Sequence, residues 1–249
     1  KYGLEVFNIE EAIASDKELN KFKDSRAVKF LNRCFKKLFK KEFIKKKSVM
    51  KMTDFGFDEN VLKSEQAEYF IGFWQSEKYF LDNIETIKKD FTLKPEWQFE
   101  LNSKDIYQKV LDNKNDSVSL HIRRGDYVNN KQANSFHGIC GLDYYKQAIS
   151  LIEKKIHNPV FFIFSDDLEW VKNNLNTNHK TYFVEGLKDY EDMVLMSQCG
   201  HNIIANSSFS WWGAWLNDNK NKIVIAPKNW FADKNINTAS IIPDSWIKI

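Results

Sequence analysis

The chain has 249 residues, of which 43% are hydrophobic and 15% aromatic, enough to form a buried core in one large domain or two small ones. A formal net charge of +3 argues against a nucleic-acid-binding protein, and scarce glycine (nine) and proline (four) argue against fibrous and disordered classes. The three cysteines, Cys34, Cys140 and Cys199, are widely spaced. They predict a reducing compartment, hence a cytoplasmic location, rather than a disulfide framework or zinc site.

The first half of the chain is rich in helical patterns. Residues 25–48 carry apolar side chains at near-helical spacing among many lysines, so we predict a basic amphipathic helix. Its stretch Arg33–Lys47 has two interpretations. We favour a solvated face whose apolar stripe lies in the core; the alternative is peripheral docking on anionic lipid at the inner membrane. A short strand or turn is predicted around Tyr69–Phe73, followed by a helix through Tyr79 and Ile87.

The second half alternates between strand and helix patterns. Strands are predicted at Ser117–Ile122, Val160–Phe164, Tyr182–Val184, Asn202–Ala205 and Lys222–Ala226. Helices are predicted at Asp143–Lys154, from Asp166 or Asp167 through Asn174, at Tyr190–Gln198 and at Ser210–Asn217. This alternation predicts an α/β fold with a parallel, doubly wound sheet. Ligands of such sheets bind beyond the carboxyl ends of the strands, which here are followed by residues 121–127, 165–167, 185–186 and 206–210.

Two adjacent arginines follow the first of these strands. Arg123 and Arg124 offer rigid arrays of N–H donors that match phosphate, and Asp126 can hold one arginine or act as a base. The alternative interpretation is a structural salt bridge. These residues alone support an anion site and a structural salt bridge about equally.

Hydroxyl and carboxyl groups follow two further strands. Asn206, Ser207 and Ser208 precede a predicted helix, whose free N–H groups and partial positive charge suit a pyrophosphate. Ordinary serine capping is the alternative there. After another strand, Ser165 leads to Asp166 and Asp167, and a carboxylate at that place can bind a guanine edge, bind a sugar hydroxyl, or cap the next helix. The sequence contains no Asp-x-Asp, so arginine would have to neutralise phosphate in place of a metal ion.

Three long motifs resemble those of the bacterial-type α-1,2-fucosyltransferases of glycosyltransferase family 11. The heptapeptide HIRRGDY at residues 121–127 resembles the family's HxRRGDY motif, and GFWQSEKYF at 72–80 resembles G-[YF]-[WF]-Q-S-x-K-Y-F. The segment from Asp192 to Gly213 resembles DMxLMSxCxHxIIANSSFSWW, and residues 2–9 are similar to a YxLxxFNI stretch. The resemblance therefore covers nearly the whole chain.

The resemblance implies a GT-B architecture, with two Rossmann-like domains facing across a cleft. We expect residues 1–113 to form a helix-rich domain on the acceptor side and residues 114–249 to form the Rossmann-like domain that binds GDP-fucose. The family's first strand and Gly-rich loop do not precede Lys1, so we expect that strand to be missing from the N-terminal sheet.

The resemblance also implies an activity: inverting, metal-independent transfer of L-fucose from GDP-β-L-fucose to the 2-hydroxyl of a terminal galactose in a surface glycan. No cofactor, metal or nucleic acid is expected. Two alternatives to this activity remain. The protein could form another fucosyl linkage (α-1,6 or O-fucose), or it could bind a GDP-sugar without turnover.

Residue roles carry over position by position. Arg123 would bind the β-phosphate as a catalytic group, and Asp126 is our choice of base. The predicted donor-binding residues are His121, Arg123, Arg124, Ser165, Asp166, Asp167, Asn206, Ser207 and Ser208. The predicted acceptor-binding residues are Trp74, Gln75 and Tyr127.

Overall fold

The computed structural model describes residues 3–23, 33, 49–52, 54–65, 69–125, 128 and 130–249. The predicted helix at 25–48, with the basic stretch Arg33–Lys47, lies outside these ranges apart from Arg33. Within them, no helix is both long enough and apolar enough to cross a membrane.

The described part of the first 113 residues is mostly helical, with one small parallel pair of strands. Its elements are α1 (Asp16–Asn20), β1 (Val49–Lys51), α2 (Glu59–Leu62), β2 (Tyr69–Ile71), α3 (Ile84–Asp90), α4 (Pro95–Asn102) and α5 (Asp105–Asp112). Strand β1 pairs with β2, which confirms the strand predicted at this place. The helix predicted after it is interrupted: two 3-10 turns at Glu77–Tyr79 and Leu81–Asn83 precede α3.

The rest of the chain alternates strands and helices, as predicted. Its elements are β3 (Ser117–Ile122), α6 (Lys131–His137), α7 (Leu142–Glu153), β4 (Val160–Ser165), α8 (Leu168–Asn174), β5 (Thr181–Phe183), α9 (Asp189–Gln198), β6 (His201–Ile203), α10 (Ser208–Trp215), β7 (Val224–Ala226) and β8 (Ile247–Lys248). Neither α6 nor β8 was predicted. A two-residue edge strand such as β8 is too short for periodicity to reveal.

The described strands β3 to β8 form one parallel sheet in the order β5-β4-β3-β6-β7-β8. The chain runs outward from β3 through β4 to β5, then returns to the other side of β3 and runs outward again. The order therefore reverses between β3 and β6, and a crevice opens beyond their carboxyl ends. Arg123 follows β3 and Ser207 follows β6, so the topology brings these two predicted residues to the same crevice.

Helices cover both faces of this sheet. On one face, α7 packs Tyr145 and Ile152 against Val118 and Leu120 of β3. On the other face, α5 and α9 pack against β4, where Phe162 and Phe164 are buried. Both faces are thus closed to water, which explains the continuous apolar sequence of β4.

The burial of strand β3 differs from what its alternating sequence predicts. Alternation of polar and apolar residues is typical of a strand with one face in water, yet all six residues of β3 are buried. Its polar face carries a buried network instead. The amide of Asn202 on β6 donates to the Ser119 hydroxyl at 2.7 Å and to the Met196 carbonyl at 2.9 Å, and its own oxygen accepts from Asn217 at 2.8 Å.

Helix α10 is packed closely against α9. A Cβ atom added at Gly213 would lie 2.8 Å from the Cβ atom of Met196. The same helix carries Trp211, Trp212 and Trp215, whose rings contact the Phe80 ring at 5.1–6.4 Å between centroids. The tryptophan-rich helix therefore packs against the segment that follows β2.

Candidate active site

A cavity of about 430 Å³ opens at the crevice between the carboxyl ends of β3 and β6. It is lined by Gln75, His121, Arg123, His137, Phe164, Ser165, Asp166, Asp189, Asp192, Asn206, Ser207, Ser208, Phe209, Trp230 and Phe231. We call it the donor cavity because its lining includes most of the predicted donor-binding residues. Residues from four of the predicted loops and segments meet here although they are far apart in sequence.

The two adjacent arginines have different surroundings. Arg123 lines the donor cavity, and its guanidinium lies 3.2 Å from a carboxylate oxygen of Asp166. Arg124 does not line it. Its guanidinium lies over the Trp170 ring, 3.5 Å from the centroid, and pairs with Asp167 at 3.3 Å. The structure thus gives Arg124 the contacts of a structural residue and leaves Arg123 at the cavity wall.

The two adjacent acids are divided in the same way. Asp166 lines the donor cavity and accepts a hydrogen bond from the backbone N–H of Arg124 at 2.9 Å. Asp167 caps helix α8 by accepting from the Trp170 N–H at 3.3 Å. Of the two acids predicted to contact the nucleotide, only Asp166 lies where a ligand of this cavity could reach it. It also holds Arg123 in place.

The start of α10 presents two hydroxyl groups to the cavity. Ser207 is the N-cap residue of the helix, but its side chain makes no capping hydrogen bond. Ser208 opens the helix and also lines the cavity. The capping interpretation of the sequence therefore does not account for Ser207. The free N–H groups of the helix start add a partial positive charge at the same place.

His121 is buried at the end of β3 and lines the cavity. The ring lies against Phe209 at 5.6 Å between centroids. Burial lowers the pKa of His121 to about 4, despite the opposing influence of Asp166, so the imidazole is neutral near pH 7. A neutral ring has one donor and one acceptor nitrogen, which suits hydrogen bonding to a nucleobase more than charge neutralisation.

Three residues that line the donor cavity each carry a buried polar atom without a hydrogen-bond partner: Oε1 of Gln75, Nδ1 of His121 and Oδ1 of Asp192. An unsatisfied buried polar atom costs about 1–3 kcal/mol. Three such atoms on the residues of one cavity are typical of a functional site.

Two other predicted donor-binding residues contribute to the cavity wall. Ser165 accepts a hydrogen bond from the Asp167 N–H at 3.0 Å. The amide nitrogen of Asn206 donates to the carbonyl oxygens of His137 at 2.8 Å and Trp230 at 3.2 Å. Asn206 thereby connects two loops that line the cavity, a role that the sequence did not predict. The cavity positions that the sequence also did not predict are His137, Phe164, Asp189, Asp192, Phe209, Trp230 and Phe231.

A second, aromatic cavity of about 310 Å³ adjoins the first. Its lining is Phe73, Trp74, Gln75, Ser76, Phe80, Ser208, Trp211, Trp212, Trp230 and Ile241, and it shares Gln75, Ser208 and Trp230 with the donor cavity. We call it the aromatic cavity. Trp74, a predicted acceptor residue, has a φ of 43° here. A bulky residue in the left-handed region is strained, and such strain clusters at ligand sites.

Two predicted site residues, Asp126 and Tyr127, lie outside the residues that the structure describes. Among those it does describe, no cluster of three or more His, Cys, Asp or Glu side chains is arranged to hold a metal ion.

Comparison with known proteins identifies the family. The sequence profile of Glycosyl transferase family 11 matches residues 10–249, which is nearly the whole chain. The chain belongs to this family. The resemblance drawn from the three motifs is therefore confirmed.

Individual relatives of this family 11 chain come from bacteria and mammals. It is 42% identical over 184 residues to an alpha-1,2-colitosyltransferase of Escherichia coli, covering 72% of this chain and 62% of the relative. It is 45% identical over 152 residues to the O-antigen biosynthesis glycosyltransferase WbnK of Escherichia coli, covering 59% and 49%. It is 30% identical over 154 residues to the human galactoside alpha-(1,2)-fucosyltransferase 1, covering 58% and 42%. The chain thus spans about half the length of these relatives.

Proposed function

We propose that this protein transfers L-fucose, or the related sugar L-colitose, from its GDP-activated form to the 2-hydroxyl of a terminal galactose. One observation carries the proposal: Arg123, the neutral His121 and the free hydroxyl of Ser207 line one cavity at the reversal of the strand order. A guanidinium beside a helix start suits a pyrophosphate, and a neutral imidazole suits a base edge. The names of the family 11 relatives supply the sugar and the linkage.

In the proposed complex, different residues of the donor cavity bind different parts of the nucleotide. Arg123, oriented by Asp166, contacts the β-phosphate, where negative charge builds up as the bond to the sugar breaks. Ser207 and Ser208, with the N–H groups of α10, bind the same pyrophosphate. His121 faces the guanine. In this scheme the charge is neutralised by the protein itself, without a metal ion, and the sugar is transferred with inversion.

The aromatic cavity is proposed as the acceptor site. Sugar rings present apolar C–H faces that pack on aromatic rings, and the cavity offers Trp74 and Trp212 for this contact. Because the two cavities share Gln75 and Ser208, an acceptor bound in one lies next to a donor bound in the other. The proposed architecture is GT-B, with residues 1–113 on the acceptor side and 114–249 on the donor side.

A transfer assay tests the proposal directly. GDP-L-fucose and GDP-L-colitose, each with EDTA present, are offered against a panel of β-galactosides, and the linkage of any product is determined. We expect α-1,2-linked product with EDTA having no effect. L-colitose is L-fucose without its 3-hydroxyl, so the ratio of the two kcat/KM values also identifies the donor. GDP binding without transfer of either sugar would favour a binding module, and α-1,6 or O-fucose product would favour another linkage.

Replacing Trp74 with alanine should weaken the acceptor rather than the donor. The expected result is a rise of about tenfold in KM for the galactoside, because one stacking surface is lost, with GDP affinity by calorimetry changed less than twofold. Val61→Ala, a substitution outside both cavities, serves as the control. A Trp74→Ala protein with an unchanged acceptor KM would contradict the assignment of the aromatic cavity.

A further inference from the structure

Three residues with carboxylate side chains line the donor cavity, namely Asp166, Asp189 and Asp192, and they differ in their hydrogen-bond and ion-pair partners. Asp166 is paired with Arg123 and accepts from the Arg124 N–H. Asp189 is exposed at the first position of α9. Asp192, one helical turn later, is the one among these three with a buried oxygen that has no hydrogen-bond partner.

Asp192 is held in this position by the helix rather than by polar contacts. Its neighbours Met193 and Val194 are buried in a hydrophobic cluster with Phe7 and Leu101. The adjacent acid Glu191 does not line the cavity, and one of its carboxylate oxygens accepts from the Lys188 N–H at 2.7 Å at the start of α9. The fold therefore holds a residue with an unsatisfied buried carboxylate oxygen at the cavity at some cost in stability, which is typical of functional sites.

We propose that Asp192 is the catalytic base that removes the proton from the attacking hydroxyl of the acceptor. The inference rests on the proposed function and deepens it. A carboxylate that neutralises an arginine is a poor base, which argues against Asp166. Asp192 meets the requirement for a base because its Oδ1 has no hydrogen-bond partner and because it lines the donor cavity together with Gln75, which belongs to both cavities.

The step balances without any further reactant. The acceptor oxygen forms a bond to the anomeric carbon of the donor sugar as the bond from that carbon to the β-phosphate oxygen breaks. The electron pair of the broken bond leaves with GDP, beside Arg123. The hydroxyl proton passes to a carboxylate oxygen of Asp192, which later releases it to water.

The protonation behaviour of Asp192 suits this role. Burial first, and then the charges of Asp189 and Glu191, raise the pKa of Asp192 to about 7. A base works best when its pKa lies near the working pH. The other titratable groups at the cavity wall are His121, Arg123, His137, Asp166 and Asp189, while the packed helix α10 carries no charged residue.

The test is steady-state kinetics of Asp192→Asn against pH. For the wild type, kcat/KM should rise with pH through about 7 and then level off, because the carboxylate must be ionised. For Asp192→Asn we expect kcat to fall about 100-fold, the limb near pH 7 to disappear, and GDP affinity to stay within twofold. Asp143→Asn, the same change in the first turn of α7, is exposed and lies away from the cavity, so it should retain wild-type kinetics.

Stability against pH gives an independent readout. The folded pKa of Asp192 lies above its unfolded value of 3.8, so ionisation destabilises the folded wild type increasingly as pH rises from about 4 to about 7. Asn lacks this penalty. The difference in Tm between Asp192→Asn and the wild type should therefore shift in favour of the variant over that range, whereas Asp143→Asn should show no such trend.

The outcomes separate the two proposals. Absence of transfer by the wild type, with any donor, overturns the proposed function. Transfer by the wild type together with near-normal turnover by Asp192→Asn overturns the assignment of the base alone, and a loss confined to Asp126→Asn reassigns it to that residue. If Asp192→Asn does not fold, a wild-type profile without a limb near pH 7 is sufficient to overturn the inference.

Discussion

Replacing Arg123 with lysine should lower kcat/KM for transfer by about 10²–10³-fold, the usual cost of losing one preorganised donor to developing charge. Lysine keeps the positive charge but cannot make two parallel hydrogen bonds to a phosphate. It also leaves Asp166 with a weaker partner than the present guanidinium, which lies 3.2 Å away. Kinetics with varied donor, together with GDP calorimetry, measure the effect.

Arg124→Lys is the matched control, since it makes the same change one residue later. Arg124 stacks on Trp170 and pairs with Asp167 outside the donor cavity. We expect a lower Tm, because lysine cannot stack as a planar group, and GDP affinity within about threefold of the wild type. Equal losses of GDP affinity in both variants would contradict the assignment of Arg123 to nucleotide binding and of Arg124 to a structural role.

Replacing Asn202 with alanine should lower the free energy of unfolding by about 3 kcal/mol. The side chain is fully buried and makes three hydrogen bonds, to Ser119, Met196 and Asn217. Alanine removes all three. The Asn217 amide keeps its bond to the Cys199 carbonyl, whereas the buried Ser119 hydroxyl loses its bond from Asn202. Urea unfolding followed by circular dichroism measures the change.

Asn221→Ala, at an exposed position shortly before β7, should change the free energy of unfolding by less than about 0.5 kcal/mol. A double-mutant cycle with Ser119→Ala isolates the hydrogen bond between Asn202 and Ser119, and we expect a coupling of about 1 kcal/mol. A coupling near zero would mean that the network contributes little and that cavity formation accounts for the loss.

Most strand and helix positions of the second half followed from the sequence because these elements show clear hydrophobic patterns, whereas the strand order, α6 and β8 did not. The apolar run of β4 and the helix α7 (Leu142–Glu153) are long enough for their hydrophobic patterns to be recognised with little ambiguity. The buried polar face of β3 could not be predicted. Its serines satisfy their hydrogen bonds through Asn202 and Gly200, which lie more than eighty residues later in the chain.

The candidate site was predicted in part for a similar reason. Arg123 and Ser207 follow strands directly, so the rule for parallel sheets located them. Asp192 lies inside a helix, and no local signal tells whether a helical acid faces water or a cavity. The different surroundings of Arg124 also depend on Trp170, a residue of α8 that becomes its neighbour only in the folded chain.

The wall shared by the two cavities has a consequence for how new sugar specificities can arise. Gln75, Ser208 and Trp230 border both cavities, so a change at any of them alters two binding sites at once. Phe73, Trp74 and Ile241 border the aromatic cavity alone. Under the proposed assignment of the two cavities, variation at these three positions alters which glycan is accepted while the nucleotide sugar continues to bind as before. A library restricted to them is then the efficient starting point for redesign.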